Sequence, residues 1–264
     1  METVSSVHNP KIKRLLALQQ KSAARQEAGL FVVEGMRELL RCLDAGYVAD
    51  TLFCCPELVR QEDMPELEKR CRGLRRFYLT PEVYARAAYR GGTEGVLAEI
   101  RIPQRGLDTL ALSENPLIAV LEKVEKPGNL GAVLRCADAA GADAVLVCDP
   151  LTDLYNPNLI RASVGAVFSV PAVACRSEEA IAFLKSRRIR ILTAQLQDSS
   201  PYYACDMRGG TAIVMGAEDT GLTDCWRKAA DAHVLIPMRG RVDSLNVSVS
   251  AAILLYEAVR QRRS

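Results

Sequence analysis

TAIVMGAEDTGLTDCWRKAADAHVLIPMRGRVDSLNVSVS, residues 211–250, holds two short apolar runs that each break into a glycine-bearing loop. Ala212, Ile213, Val214 and Met215 follow one another without a polar interruption, and Gly216 ends the run. A strand covered on both faces needs no polar alternation, and glycine admits a sharp exit, so this reads as a buried strand of a parallel sheet. Val234, Leu235 and Ile236 form the second run. Pro237, which has no N–H to give a sheet ladder, closes it, and Gly240 lies in the loop beyond. After Ser244, the residues Leu245, Val247, Val249, Ile253, Leu254 and Val259 space out as the apolar face of a long terminal helix.

Loops leaving the carboxyl ends of neighbouring strands make the crevice in which open α/β sheets hold small ligands. These loops carry few charges, Glu218 and Asp219 in one and Arg239, Arg241 and Asp243 in the other. A pocket built largely of backbone amides and carbonyls suits a neutral, hydrogen-bonding aromatic group such as adenine better than a polyphosphate. Ordinary connections of an α/β domain give the same spacing, so the pattern alone leaves both readings open.

Upstream, the pattern predicts strands over 117–124, 144–148, 169–174 and 190–196, with helices over 132–140, 158–166 and 178–187 between them. Regular alternation of this kind builds a mostly parallel sheet. The first part of the chain alternates too. Ser5 and Asn9-Pro10 open a helix with a basic side, and strands are expected over 30–33, 50–54, 76–79 and 96–102. Helices are expected over 36–45 and 57–71, and from Thr80-Pro81. YRGGTE, residues 89–94, reads as a loop able to touch RNA through Arg90, or as a plain turn. The mixed, proline-bearing stretch 106–116 reads as a linker. The expected organisation is therefore a smaller N-terminal α/β domain over 1–105 and a larger α/β domain with a parallel sheet over 117–264.

With 49% hydrophobic and 25% charged residues the chain is that of a globular protein. A net charge of +2 does not announce a nucleic-acid binder. Residues 1–105 hold 17 Lys and Arg against 14 Asp and Glu, whereas 106–264 hold 17 against 18, which places any polyanion site on the N-terminal half. The nine cysteines are scattered, no CxxC pair occurs, and His8 and His233 stand alone, so no metal site is expected and the thiols read as core residues in a reducing cytoplasm. The N-terminus lacks the apolar core of a signal peptide, and no apolar run is long enough for a bilayer.

The glycine loop expected after the strand over 117–124 reads GNLGAVLR, which is neither GxGxxG nor a P-loop, so dinucleotide and polyphosphate readings lose their mechanism. An ordinary Rossmann methyltransferase would use an acidic residue after its second strand to hold ribose, a place Asp149 occupies.

Asn129-Leu130-Gly131-Ala132-Val133-Leu134-Arg135, the segment from Met215 to Leu222, and Ile236-Pro237-Met238 followed by Ser244-Leu245-Asn246-Val247-Ser248 resemble the three ordered motifs of the SpoU, or TrmH-type, RNA ribose 2′-O-methyltransferases of the SPOUT class. The motifs span about half the chain in the right order. VSSVHNPKIKRLLALQQ and GLFVVEG in the first half are similar to the substrate-binding domain that many members carry. The VEKPGN wording and Ser250 depart slightly from the common pattern.

The resemblance implies a C-terminal trefoil-knot domain that binds S-adenosylmethionine, a homodimer formed through that domain, and an RNA substrate, ribosomal RNA before transfer RNA. Carried over by position, it nominates Thr193, Ala194, Met215, Gly216, Ile236, Met238 and Leu245 for the cofactor, and Asn129, Arg135, Glu218, Ser244 and Asn246 for catalysis. Arginine stays protonated in nearly any protein environment, so Arg135 suits a phosphate grip and stabilisation of a developing alkoxide better than the role of a base. Lys11, Lys13, Arg14, Arg25 and Arg90 are the expected RNA contacts.

Each assignment has a plainer counterpart. Glu218 suits a helix cap or an ion pair with Arg135, Asn129 suits an N-cap, and Ser244 suits the cap of the terminal helix better than Asn246. Trp226, Tyr202 and Tyr203 suit packing, and His233 a structural place. A catalytically silent RNA-binding protein of the same fold remains the competing expectation.

Overall fold

The computed structural model describes residues 2–89, 94–217 and 219–263. Two compact units emerge, one of residues 1–104 with 155–160, the other of 105–154 with 161–264.

The first unit runs β1 (Glu2–Val4), α1 (Pro10–Gln20), α2 (Ser22–Ala28), β2 (Leu30–Glu34), α3 (Met36–Asp44), β3 (Ala49–Cys54), α4 (Met64–Arg70), β4 (Arg75–Leu79), α5 (Pro81–Ala87) and β5 (Val96–Arg101). Its strands form a mixed sheet in the order β1-β4-β3-β5-β2. The caps read from sequence are present: Asn9 Oδ1 accepts from the Lys11 N–H at 2.9 Å and Thr80 Oγ1 from the Val83 N–H. Ile12, Leu15 and Leu18 of α1 pack on Val32, Phe53 and Leu97 of the sheet. The helix expected over 57–71 is shorter, because it starts only at Met64 with Pro65 in its first turn.

Glu99 on β5 is fully buried and bonded to Arg14 on α1, with Arg14 Nε donating to Oε1 at 3.1 Å. Burial holds the Glu99 carboxyl above its usual range, against the pull of the Arg14 guanidinium. Arg14→Ala strands that carboxylate and is expected to cost about 1–3 kcal/mol at neutral pH, less than a fully buried pair because the guanidinium is 45% exposed. Without Arg14 the carboxyl rises further. The variant's deficit is therefore greatest where Glu99 is charged and shrinks as pH falls from neutrality into the carboxylate range, which urea unfolding across that window measures.

The second unit runs β6 (Leu117–Glu122), α6 (Pro127–Ala140), β7 (Ala144–Cys148), α7 (Pro157–Ala162, its first residues in the other unit), α8 (Ala166–Ser169), β8 (Ala172–Cys175), α9 (Ser177–Ser186), β9 (Arg190–Ala194), β10 (Ser200–Pro201), β11 (Thr211–Met215), α10 (Asp224–Ala229), β12 (Ala232–Leu235) and α11 (Val247–Arg262). All seven strands are parallel, in the order β10-β12-β9-β11-β6-β7-β8. β6, β7 and β11 are buried along their whole length, as their unbroken apolar runs require.

Two expectations are corrected here. GNLG is the first turn of α6 rather than a loop, and Gly131 is needed because a Cβ there would sit 2.6 Å from Ala162 Cβ. The helix expected over 158–166 splits into α7 and α8, since Val164 and Gly165 take left-handed backbone. The cysteines described are all free, and burial pushes the Cys54 thiol up to about 11, as core thiols behave. Among the described residues no helix is long and apolar enough to cross a membrane, and no cluster could hold a metal ion.

Candidate active site

β9, β11 and β12 lie side by side, so their carboxyl ends at Ala194, Met215 and Leu235 open their loops toward one place. A cleft of about 680 Å³ lies there, within the range of small-molecule sites. Ala194, Met215, Gly216, Ile236, Met238 and Leu245 line it, with Ser244 and Asn246. Gly216 must be small because the loop folds back on it: the Gly221 N–H donates to the Ala217 carbonyl at 3.0 Å, and Gly221 itself is left-handed.

Two buried side-chain atoms have no hydrogen-bond partner among the described residues, Gln195 Oε1 and Arg227 Nε, and both residues line this cleft. Buried polar atoms are nearly always paired, so an unpaired acceptor and an unpaired donor here fit a polar ligand. The arginine suits a carboxylate and the glutamine an amino group, both of which S-adenosylmethionine carries.

A second pocket of about 230 Å³ adjoins the cleft and shares Ala217, Asp219 and Val247 with it; Lys123, Lys126 and Asn129 line its other side. Asn246 Nδ2 donates to Asn129 Oδ1 at 3.1 Å, joining the first and third motifs. Asn246 rather than Ser244 caps α11, its Oδ1 accepting from the Ser248 N–H at 2.9 Å, because the helix begins at Val247. Asn129 is not a cap either, since α6 starts two residues before it.

Other expected site residues lie elsewhere. Thr193 is fully buried and lines neither pocket; its Oγ1 lies 2.6 Å from His233 Nδ1, across the pairing of β9 with β12. Asp149 sits at the end of β7, takes a hydrogen bond from Ser177 at 2.6 Å, and lines neither pocket. Arg135 is exposed on α6 and lines neither. Glu218 and Arg90 lie outside the described residues. Of the expected RNA contacts, Arg25 is corrected: it is 2% exposed, and its guanidinium bonds the Leu18 and Gln19 carbonyls at the end of α1. Lys11 pairs with Glu2 at 2.7 Å and lies over the Phe77 ring, Arg14 is held by Glu99, and Lys13 is exposed.

The sequence reading gave no role to Glu122, whose carboxylate is buried at the end of β6 and bonded to Thr223. An acidic residue closing a wholly apolar run was the signal available.

Residues 116–256 match the SpoU rRNA methylase family, and residues 9–98 an MRM3-like substrate-binding domain. A 23S rRNA (uridine(2479)-2′-O)-methyltransferase from Streptomyces viridochromogenes is 31% identical, over 97% of this chain and 91% of the relative. The 23S rRNA (guanosine(2553)-2′-O)-methyltransferase RlmP of Bacillus subtilis is 26% identical, over 97% of this chain and 98% of the relative. The crystal structure of the SpoU methyltransferase AviRb from Streptomyces viridochromogenes, in complex with the cofactor AdoMet, superposes with a TM-score of 0.90 at 30% identity, over 97% of this chain and 99% of that one. By a family match over more than half its length and a full-length relative of this similarity, the chain belongs to the SpoU rRNA methylase family.

Proposed function

We propose that this protein transfers a methyl group to a ribose 2′-hydroxyl of ribosomal RNA, with S-adenosylmethionine as donor. The observation that carries the reading is the pair of adjoining pockets: a cleft with an unpaired buried donor and acceptor beside a smaller pocket edged by two lysines and Asn129. When bound, S-adenosylmethionine supplies an electrophilic methyl on a sulfonium. The chain's task is to hold a ribose hydroxyl in line with that methyl while keeping water out, and alignment of this kind supplies most of the rate. Asn129 and Asn246, already bonded to each other, orient the ribose, Lys123 and Lys126 face its phosphates, and Arg135 steadies the developing alkoxide or the neighbouring phosphate. Both named relatives act on 23S rRNA, one at uridine and one at guanosine, which supports ribosomal RNA as the substrate class.

The same reading gives the N-terminal residues 1–105 the work of holding RNA and residues 117–264 the chemistry, within a knotted domain that pairs with a second copy. Incubation with methyl-labelled S-adenosylmethionine and unmodified ribosomal and transfer RNA tests it. Label is expected in ribosomal RNA, on ribose after digestion. Label on a base, or none in any RNA while calorimetry shows the cofactor bound, overturns it.

A further inference from the structure

Glu122 closes β6, an otherwise apolar strand, and is 1% exposed. Among the described residues no cation pairs with it; neutral donors hold it instead. Thr223 gives it both its N–H, at 2.8 Å, and its hydroxyl, at 2.6 Å. Ser177 Oγ lies 3.3 Å away, fixed in turn by Asp149 at 2.6 Å and by the buried Trp226 Nε1 at 3.0 Å. Burying a carboxylate without a counter-charge is costly, and an apolar residue would end this strand more cheaply.

What the carboxylate joins gives the cost a purpose. Thr223 follows Gly216, Ala217 and Asp219 to Leu222, which line the cleft. Lys123, next after Glu122, turns with left-handed backbone (φ 52) into the connection leading to α6 and Asn129. Lys123 and Val124 from that connection face Ala217 and Asp219 from the loop across the smaller pocket. One carboxylate therefore ties together the two segments that wall the acceptor pocket, one of which also walls the cofactor cleft.

We infer that Glu122 is a positioning residue, fixing the smaller pocket against the cleft so that the acceptor hydroxyl and the donor methyl lie in line. The inference rests on the proposed methyl transfer for its kinetic consequence and on the hydrogen bonds alone for its structural one. Misplacement by a fraction of an ångström lowers the rate of an in-line transfer far more than it lowers the affinity of a ligand held by many other groups.

Glu122→Gln and Thr223→Val, singly and together in the full chain, test this, with Thr223→Ser, which keeps both donors, as the conservative variant. All are expected to fold and to bind S-adenosylmethionine within about threefold of the parent by calorimetry, because the cleft has many other walls. Glu122→Gln and Thr223→Val are each expected to lower kcat roughly tenfold, the double variant no further than the worse single one, and Thr223→Ser hardly at all. In the ligand-free protein, hydrogen exchange at the 216–223 amides should quicken in Glu122→Gln. Additive losses, a fall in kcat that tracks cofactor affinity, or a lowered melting temperature with kcat unchanged overturns the inference. Should the parent chain methylate no RNA, the proposed function fails and the exchange measurement still decides whether Glu122 anchors the loop.

Discussion

Arg135→Ala is expected to lower kcat about 10²- to 10³-fold, or about 3–4 kcal/mol, the loss found when a donor to a developing oxyanion is removed. S-adenosylmethionine affinity is expected to stay within about twofold, because Arg135 lines neither pocket and its side chain is exposed on α6. Single-turnover methylation with calorimetry on the same preparations separates the two quantities. Loss of cofactor binding in the variant would remove the proposed role and make Arg135 a part of the cleft instead. Arg135→Lys should recover little of the rate, since an ammonium offers a point charge in place of a planar fork of donors.

Gly216→Ala is expected to act the other way round, weakening the cofactor about 10- to 100-fold. A Cβ at Gly216 would land on the backbone carbonyl of Gly221 and within 2.6 Å of the Leu222 nitrogen. Backbone cannot swing aside as a side-chain tip can, so the loop must open. Overpacking of this kind costs about 1–3 kcal/mol, which at 1.4 kcal/mol per decade spans about 5- to 140-fold and brackets that range. A lower melting temperature should accompany the change, because the same loop reaches Thr223 and its bond to Glu122. Unaltered affinity by calorimetry would mean that the loop has slack the structure does not show.

Legibility in the sequence followed the strength of the local signal. Unbroken apolar runs placed β6, β7 and β11, and a side chain with one evident partner placed the caps at Asn9 and Thr80. The order of the strands in the sheet lay beyond any window of residues, because pairings such as Thr211 with Leu117 join distant parts of the chain. GNLG misled because two glycines signal a loop locally, whereas Gly131 answers to a neighbour, Ala162, that only the tertiary fold supplies. Arg25 looked like one more cation on a basic face, yet it folds back to cap α1. Within the site, the lining by Gly216, Ile236 and Leu245 came from motif resemblance, whereas Thr193 turned out to face His233, a choice that a fully buried strand does not mark in its sequence.

The place of β11 also bears on how the protein is made. It comes late in the chain yet occupies the centre of the sheet, between β9 and β6, both already synthesised. Until residues 211–215 have left the ribosome, those two strands have an unfilled slot between them and bare edges of the kind that invite wrong partners. The cleft built on the ends of β9, β11 and β12 can form only after that insertion. Catalytic competence therefore waits on that insertion, and pairings so distant in sequence make its acquisition slow.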